Sequence, residues 1–297
     1  MTQFTIRPAN NGDTGEVLAF CHSDLSDGNV NEAVWDAWLH DSNGVLMVAV
    51  RDEHPIGTAH VAFLNAHEAW FEGVYVSEDE RGRGIGRELL RYSIATSQQH
   101  GAEVVRTSVM DANTSARVLV QHAGFAAIGT YDTFSAATTG VKSDNRTRPY
   151  LNRPGSDMLD VIWQWLEHSS LVTLTGGLLL QNGRGLALTD ELLEYHLHSG
   201  NVWTLSEWDR FQGLCIASPY TPIGQTVPHD FTILYLDGTP ESIGRIAYSL
   251  RDIAQEADIP LVTAHPPQIL TVQDALSGAG FTRTTDAPTA LFVLSLV

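Results

Sequence analysis

A strand that runs into a glycine-rich turn and then a helix constrains this chain more than any other stretch. It spans Phe71 to Gly86, FEGVYVSEDERGRGIG, and continues as RELLRYSIATSQQHG. Val74 and Val76 alternate with Gly73 and Tyr75, the pattern of a strand at least half buried. Ser77, Glu78, Asp79 and Glu80 end it. Arg81, Gly82, Arg83, Gly84, Ile85 and Gly86 then precede Leu89, Leu90, Ile94 and Ala95, which sit at helical spacing. Glycines here let a ligand lie against the main chain. A helix that opens there aims free N–H groups and a partial positive charge at that ligand. The combination predicts an anion site, most naturally for phosphate. A dinucleotide fingerprint, G-x-G-x-x-G, does not fit. Its third glycine falls on Arg87 when counted from Gly82 and on Leu89 when counted from Gly84. No Gly-Lys-Ser/Thr loop is present either.

What is present is R-x-x-G-x-G, Arg81 to Gly86. This resembles the acetyl-coenzyme A signature of the GNAT acyltransferases. The resemblance implies that the amides of Arg81, Gly82, Arg83, Gly84, Ile85 and Gly86 hold the coenzyme pyrophosphate. It extends over residues 1 to about 135, with Asn113, Ser115, Ala116 and the pair Gly124-Phe125 as further matching positions. It implies an α/β (α+β) fold with a mixed central sheet flanked by helices. The order read from the sequence agrees: a strand at Phe4–Arg7, two helices led by Asp13 and Asn31, strands at Val45–Val50 and Ile56–Phe63, the strand with Glu72, the glycine loop and its helix, a parallel strand at Val104–Val109, and a short helix from Asn113 to His122.

The rest of the chain reads as a faded copy. WDAWLHDSNGV, Trp35 to Val45, faces LEYHLHSGNV, Leu193 to Val202; Phe71–Val76 faces Phe231–Leu236; Ala123-Gly124-Phe125 faces Ala279-Gly280-Phe281. The second loop, Asp237 to Gly244, has lost both arginines, carries Pro240, and sets Asp237 and Glu241 against any pyrophosphate. The expected organisation is therefore a tandem of GNAT folds: residues 1–140 with the working loop, a linker at 141–156, and a degenerate copy at 157–297 that has lost the coenzyme. The linker gathers Lys142, Arg146, Arg148 and Arg153, which are expected to lie over an acidic surface. The second copy is expected to close one wall of the acceptor cleft, with Asp190, Glu191, Glu194 and Glu207 drawing in cations.

Charge narrows the partners. Lys+Arg number 17 against 35 Asp+Glu, a formal net charge of -18, which repels nucleic acid and anionic membrane and suits a cationic amine, though it equally serves solubility. Cys21 and Cys215 are the only cysteines, too few for a disulfide framework or a thiolate zinc site. His196 and His198 stand two apart on a helix and share no face, so no metal is expected. The first residues lack the pattern of a signal peptide and no run approaches a membrane span, so a reducing cytosol is expected.

Glu72 sits on the strand that lies beside the acyl group in the family layout. On residues alone it is equally a proton acceptor or a surface acid. The resemblance implies that Val74, Tyr75 and Val76 offer backbone groups to pantetheine and to the thioester oxygen. It also implies that Asn113, besides capping a helix, bonds the pantetheine arm. Where many family members have a tyrosine acid, four residues before Gly124-Phe125, this chain has Val120; Ser115, His122, Tyr131 or an unassisted thiolate are the substitutes. The expected activity is acetyl transfer from acetyl-CoA to a primary amine of a small cationic molecule, by a monomer or homodimer, with Glu72 and Tyr75 at the reacting centre. A mycothiol-synthase-like acyltransferase, whose active copy is the second one, and a non-catalytic acyl-CoA sensor are the alternatives.

Overall fold

The computed structural model describes residues 4–22, 30–142, 151–181, 183–208, 210–223, 225–284 and 288–297. The described residues form two compact units, Met1–Ala127 with Ala290–Val297, and Ile128–Thr289.

The first unit contains β1 (Thr5–Pro8), α1 (Thr14–His22), α2 (Glu32–Leu39), β2 (Gly44–Arg51), β3 (His54–Phe63), β4 (Glu68–Val76), α3 (Ile85–Gln99), β5 (Val104–Met110) and α4 (Thr114–His122), and its sheet takes in β6 (Ala126–Tyr131), which runs across the boundary at Ala127. A further strand, β16 (Thr289–Ser295), arrives from the end of the chain. The sheet order is β1-β2-β3-β4-β5-β16-β6, with β1 to β4 antiparallel and β5 parallel to β4. Two apolar layers cover it. Met47, Ala59, Val61, Phe71, Ile85, Leu89 and Phe292 pack on one face; Val17, Cys21, Trp35, Leu46 and Val48 pack on the other. Asn31 caps α2 by accepting from the Val34 N–H. Asp13 stands before α1, but its carboxylate is taken by Arg7, at 2.7 and 2.8 Å, and by the Asn10 N–H.

The second unit contains β7 (Phe134–Ala137), β8 (Leu151–Asn152), α5 (Leu159–Glu167), α6 (Ser170–Thr175), the hairpin β9 (Leu178–Gln181) and β10 (Arg184–Ala187), α7 (Asp190–His198), β11 (Val202–Glu207), β12 (Arg210–Tyr220), β13 (Asp230–Gly238), α8 (Pro240–Glu256), β14 (Leu261–Ala264), α9 (Leu270–Gly278) and β15 (Thr282–Arg283). Its main sheet runs β15-β7-β14-β13-β12-β11-β8.

Read from the opposite edge, the second order repeats the first, position by position: β8 matches β1, β11 to β14 match β2 to β5, and β15 matches β6. The repeat seen in the sequence is thus a repeat of structure. The two halves differ from a simple tandem in one respect. The sixth position of each sheet is filled from the other half of the chain, β16 in the first and β7 in the second. The expected division at 140 and 156 differs from this on two counts. It leaves β7 with the first half and β16 with the second, and it places β8 inside a linker although β8 pairs with β11. Of the basic residues assigned to that linker, Arg146 and Arg148 lie outside the described residues. Arg153 stacks 3.9 Å from the centre of the Trp203 ring.

Both sheets carry a bulge at the same place. Between the pairs Thr58↔Tyr75 and His60↔Glu72, β4 has one residue more than β3; between Ile216↔Tyr235 and Ala217↔Ile233, β13 has one more than β12. A bulge switches the faces to which later residues point. Phe71 lies in the layer under α3, and Val74 and Val76, not Gly73 and Tyr75, rejoin that layer. Tyr75 packs on the opposite side with Trp35.

Candidate active site

β4, its bulge and the turn into α3 assemble the first unit's site. Gly82 and Gly84 both take left-handed backbone angles, φ +73° and +82°. A Cβ on either would meet no atom within 4 Å, so the main chain there borders open space. Gly84 caps α3 without any side-chain hydrogen bond, which leaves the first-turn N–H groups directed outward. Gly86 has a different part. It is half-buried, 3.6 Å from Leu119 and 3.9 Å from Val76 at its missing Cβ, and brings α3 close to α4 and β4. Buried Ile85 anchors the turn. Arg81 and Arg83 are exposed. The Arg81 Nε donates to the Val76 carbonyl at 3.2 Å, and Glu80, bonded to Arg51, holds Arg83 at 3.2 Å. The loop is thus open, carries two exposed arginines, and is tied to the end of β4.

Glu72 lies at the other end of the bulge, its side chain 20% exposed. It is not a plain surface acid. His60 faces it from β3, with Nδ1 3.0 Å from Glu72 Oε1. A carboxylate only accepts, so Nδ1 is the donor. The His60 ring is fully buried and stacks on Trp38, with centroids 4.9 Å apart. Asp41 approaches its Nε2 to 3.7 Å. Gly73, the bulge residue at φ +66°, is needed here: a Cβ would stand 2.6 Å from two carbons of the Trp38 ring. His60, Trp38 and Asp41 did not emerge from the sequence as a group. The available signal was the β3–β4 hairpin, whose register sets His60 opposite Glu72.

The other expected residues fall around this centre. Asn113 caps α4 by accepting from the Ala116 N–H at 3.0 Å, and with Ser115 it is exposed. Ala116 packs against the core beneath α3. Val120 is buried in that core. Among the substitutes for a tyrosine acid, Ser115 and His122 are exposed on α4. Tyr131 lines a narrow, mainly apolar cavity of the second unit with Ile233, Leu234 and Pro266, and burial pushes its hydroxyl up to about 12. Glu16, Glu78 and Asp79 line an open cleft beside the loop with Phe20 and Pro55.

The corresponding place in the second unit is closed. Thr239 caps α8 by accepting from the Ser242 N–H at 3.2 Å, and Pro240 takes its first turn. The buried Asp237 carboxylate accepts from Tyr235 at 2.7 Å, from Ser169 at 2.5 Å and from the Gly238 N–H at 2.7 Å. Burial, and then this carboxylate, push the Tyr235 hydroxyl well up. A Cβ on Gly238 would meet Ser242 Oγ at 2.5 Å. The helix donors that are open at α3 are occupied at α8, and a fixed carboxylate stands beside them.

Residues 15–125 match the model of the acetyltransferase (GNAT) family. They form a GNAT domain. The likeness to solved structures continues over the whole chain. A GCN5-related N-acetyltransferase from Sphaerobacter thermophilus is 15% identical, with a TM-score of 0.62 over 98% of this chain and 95% of that one. A tandem GNAT protein from the clavulanic acid biosynthesis pathway is 13% identical, with a TM-score of 0.55 over 99% of this chain and 98% of that one. A putative acetyltransferase from Thermoplasma acidophilum is 13% identical, with a TM-score of 0.57 over 98% of this chain and 99% of that one. At these identities the likeness is one of fold, and with two sheets of one strand order the chain is a tandem of GNAT folds. No curated protein matches the chain at the significance required. Among the described residues no group of metal-ligating side chains is found, and no helix is long and apolar enough to cross a membrane.

Proposed function

We propose that the first GNAT domain transfers an acetyl group from acetyl-CoA to a primary amine of a small, cationic acceptor. The observation that carries this reading is the open, uncapped start of α3 at Gly82 and Gly84, joined through β4 to a carboxylate at the bulge.

The residues present suit the coenzyme. The left-handed glycines leave space where side chains would stand, and the exposed α3 amides with Arg81 and Arg83 offer donors and positive charge to a pyrophosphate. Asn113, Ser115 and Ala116 at the start of α4 would border the pantetheine arm. When bound, acetyl-CoA supplies a thioester carbonyl that a neutral amine can attack, with the thiolate as leaving group. The bulge takes one residue of β4 out of the ladder with β3, and β4 pairs with β5 only from Glu68 to Trp70, so the Val74–Val76 segment runs on past that pairing and offers its edge on the β5 side to a ligand. Glu72 takes the proton that an ammonium must lose before it is nucleophilic. Tyr75, half-buried, packs against the apolar layer of Trp35, Leu46 and Val48 and ties this end of β4 to that layer. Val120 donates no proton, so the thiolate leaves without a side-chain acid at that position. The acidic cleft of Glu16, Glu78 and Asp79 favours a cationic acceptor.

The test is transfer of isotope from labelled acetyl-CoA to an amine library, with Glu72→Gln as comparison. The expected outcome is labelled amide in the wild type and a loss of kcat of about 10²-fold or more in the variant. Tight acetyl-CoA binding with no labelled product from any amine would favour the sensor instead.

A further inference from the structure

The strand pair β3–β4 of the first unit buries a complete imidazole ring, and burying such a polar group is costly unless it is bonded. The fold does not require it. At the equivalent register of the second sheet, beside the same bulge, Ser218 stands opposite Thr232. The imidazole–carboxylate pair therefore occurs in the unit whose glycine loop is open, and the unit with the capped loop replaces both members. The ring is also closely confined. Trp38 stacks on it at an interplanar angle of 14°, and Trp38 reaches that position because Gly73 has no Cβ. On the other side a Cβ at Gly44 would stand 2.6 Å from His60 Nε2 and 2.7 Å from Asp41 Oδ2. Asp41 and Glu72 are the charged groups that the described residues bring against the ring.

We propose that His60 is a positioning residue for acetyl transfer: its Nδ1–H fixes the Glu72 carboxylate in the orientation that receives the acceptor's proton. The inference rests on the reading of Glu72 as that acceptor. A carboxylate on a side chain with several rotatable bonds reaches its partner in only a fraction of its rotamers, and a misplacement of about 1 Å at a reacting centre costs about 10²-fold in rate. His60 removes that freedom without touching the acceptor. It is held by stacking on Trp38 and by main chain on both neighbouring strands, so the hydrogen bond is set before any ligand arrives.

Three measurements test this. With ¹⁵N-labelled histidine, the His60 Nδ1–H resonance should be visible in the ligand-free protein, absent in His60→Asn, and moved in Glu72→Gln; a His60 Nδ1 without hydrogen would overturn the proposal. In kinetics, His60→Leu should lower kcat about 10²-fold while the acetyl-CoA Kd stays within about twofold, because the ring lies outside the loop. His60→Asn places an amide nitrogen near the former Nδ1 and should recover about tenfold, the worth of one hydrogen bond. Equal activity of the Leu and Asn variants in folded protein, or a Leu variant within about twofold of wild type while Glu72→Gln is inactive, would overturn this proposal alone. Full kcat in Glu72→Gln would overturn the assignment of Glu72, and this inference with it.

Discussion

The exchange of strands makes a prediction that a simple tandem would not. Removal of residues 289–297, at the far end of the sequence, should unfold the first unit. β16 fills the place between β5 and β6, and Ala290, Leu291 and Phe292 are 4%, 2% and 0% exposed. Phe292 lies in one core with Phe71, Leu89 and Val105, and Leu294 packs against that core. Truncating one buried phenylalanine to alanine costs about 3–5 kcal/mol. Whole domains are stable by about 5–15 kcal/mol. Phe292→Ala alone should therefore remove a large share of the first unit's stability. Deleting the strand also opens the hydrogen-bond ladder of β5, which is more than the unit can lose. Hydrogen exchange reads this by segment. In Phe292→Ala, amides of Val104–Met110 should lose protection while those of Val202–Glu207 keep theirs. The reciprocal variant, Phe134→Ala in β7, should expose Leu261–Ala264 and leave Val104–Met110 protected, since Phe134 is buried in the second unit's core. If Phe292→Ala leaves β5 fully protected, or if residues 1–140 expressed alone show native protection there, β16 does not complete this sheet and the argument fails.

Three further outcomes are expected. Calorimetry should find one acetyl-CoA site per chain, and Gly84→Asp should abolish it while the domain stays folded, at a cost of about 1 kcal/mol for the left-handed angle, because the aspartate side chain enters open space; two equivalent sites would contradict the closed α8 loop. Gly73→Ala should destabilise by more than the roughly 1–2 kcal/mol of a left-handed alanine, because the added Cβ also displaces Trp38, and denaturant unfolding that shows no loss would refute the packing described. His196 is buried with neither ring nitrogen hydrogen-bonded, and burial pushes it down to about 4 from an ordinary 6.5. The unfolded chain then binds the extra proton first, so stability should fall as pH drops from about 6.5 towards 4. Denaturant midpoints of His196→Leu should fall less over that window than those of wild type, and parallel curves would refute the shift.

Much of the first unit was legible because its signals are local. The phase of Val74 and Val76, the cap at Asn31 and the glycines at 82 and 84 depend on neighbours within a few residues, and each appears where the sequence puts it. The degenerate second loop was legible for the same reason, since lost arginines and a gained proline are visible without coordinates. His60 was not. A histidine in the run Ile56–Phe63 reads as any strand residue until the β3–β4 register, shifted by the bulge, places it opposite Glu72. Asp13 illustrates a milder case: position alone suggested a helix cap, but Arg7 on the neighbouring strand end makes the stronger, charge-assisted bond.

The sequence by itself determined that the chain holds two copies of one strand–loop–helix plan, that the first keeps an anion-binding turn, and that the second has replaced it. Periodicity and glycine placement act over one or two turns of chain, so they survive in the linear order. The tertiary structure alone decided which strand completes which sheet, and what stands behind Glu72. Nothing in the local sequence of β7, FSAA, or of β16, TALFVLS, says which sheet it joins; the choice rests on pairings between residues more than a hundred positions apart, such as Ala136 with Val262. The buried imidazole beside Glu72 likewise exists only because a one-residue bulge and two glycines bring β2, β4 and α2 around it.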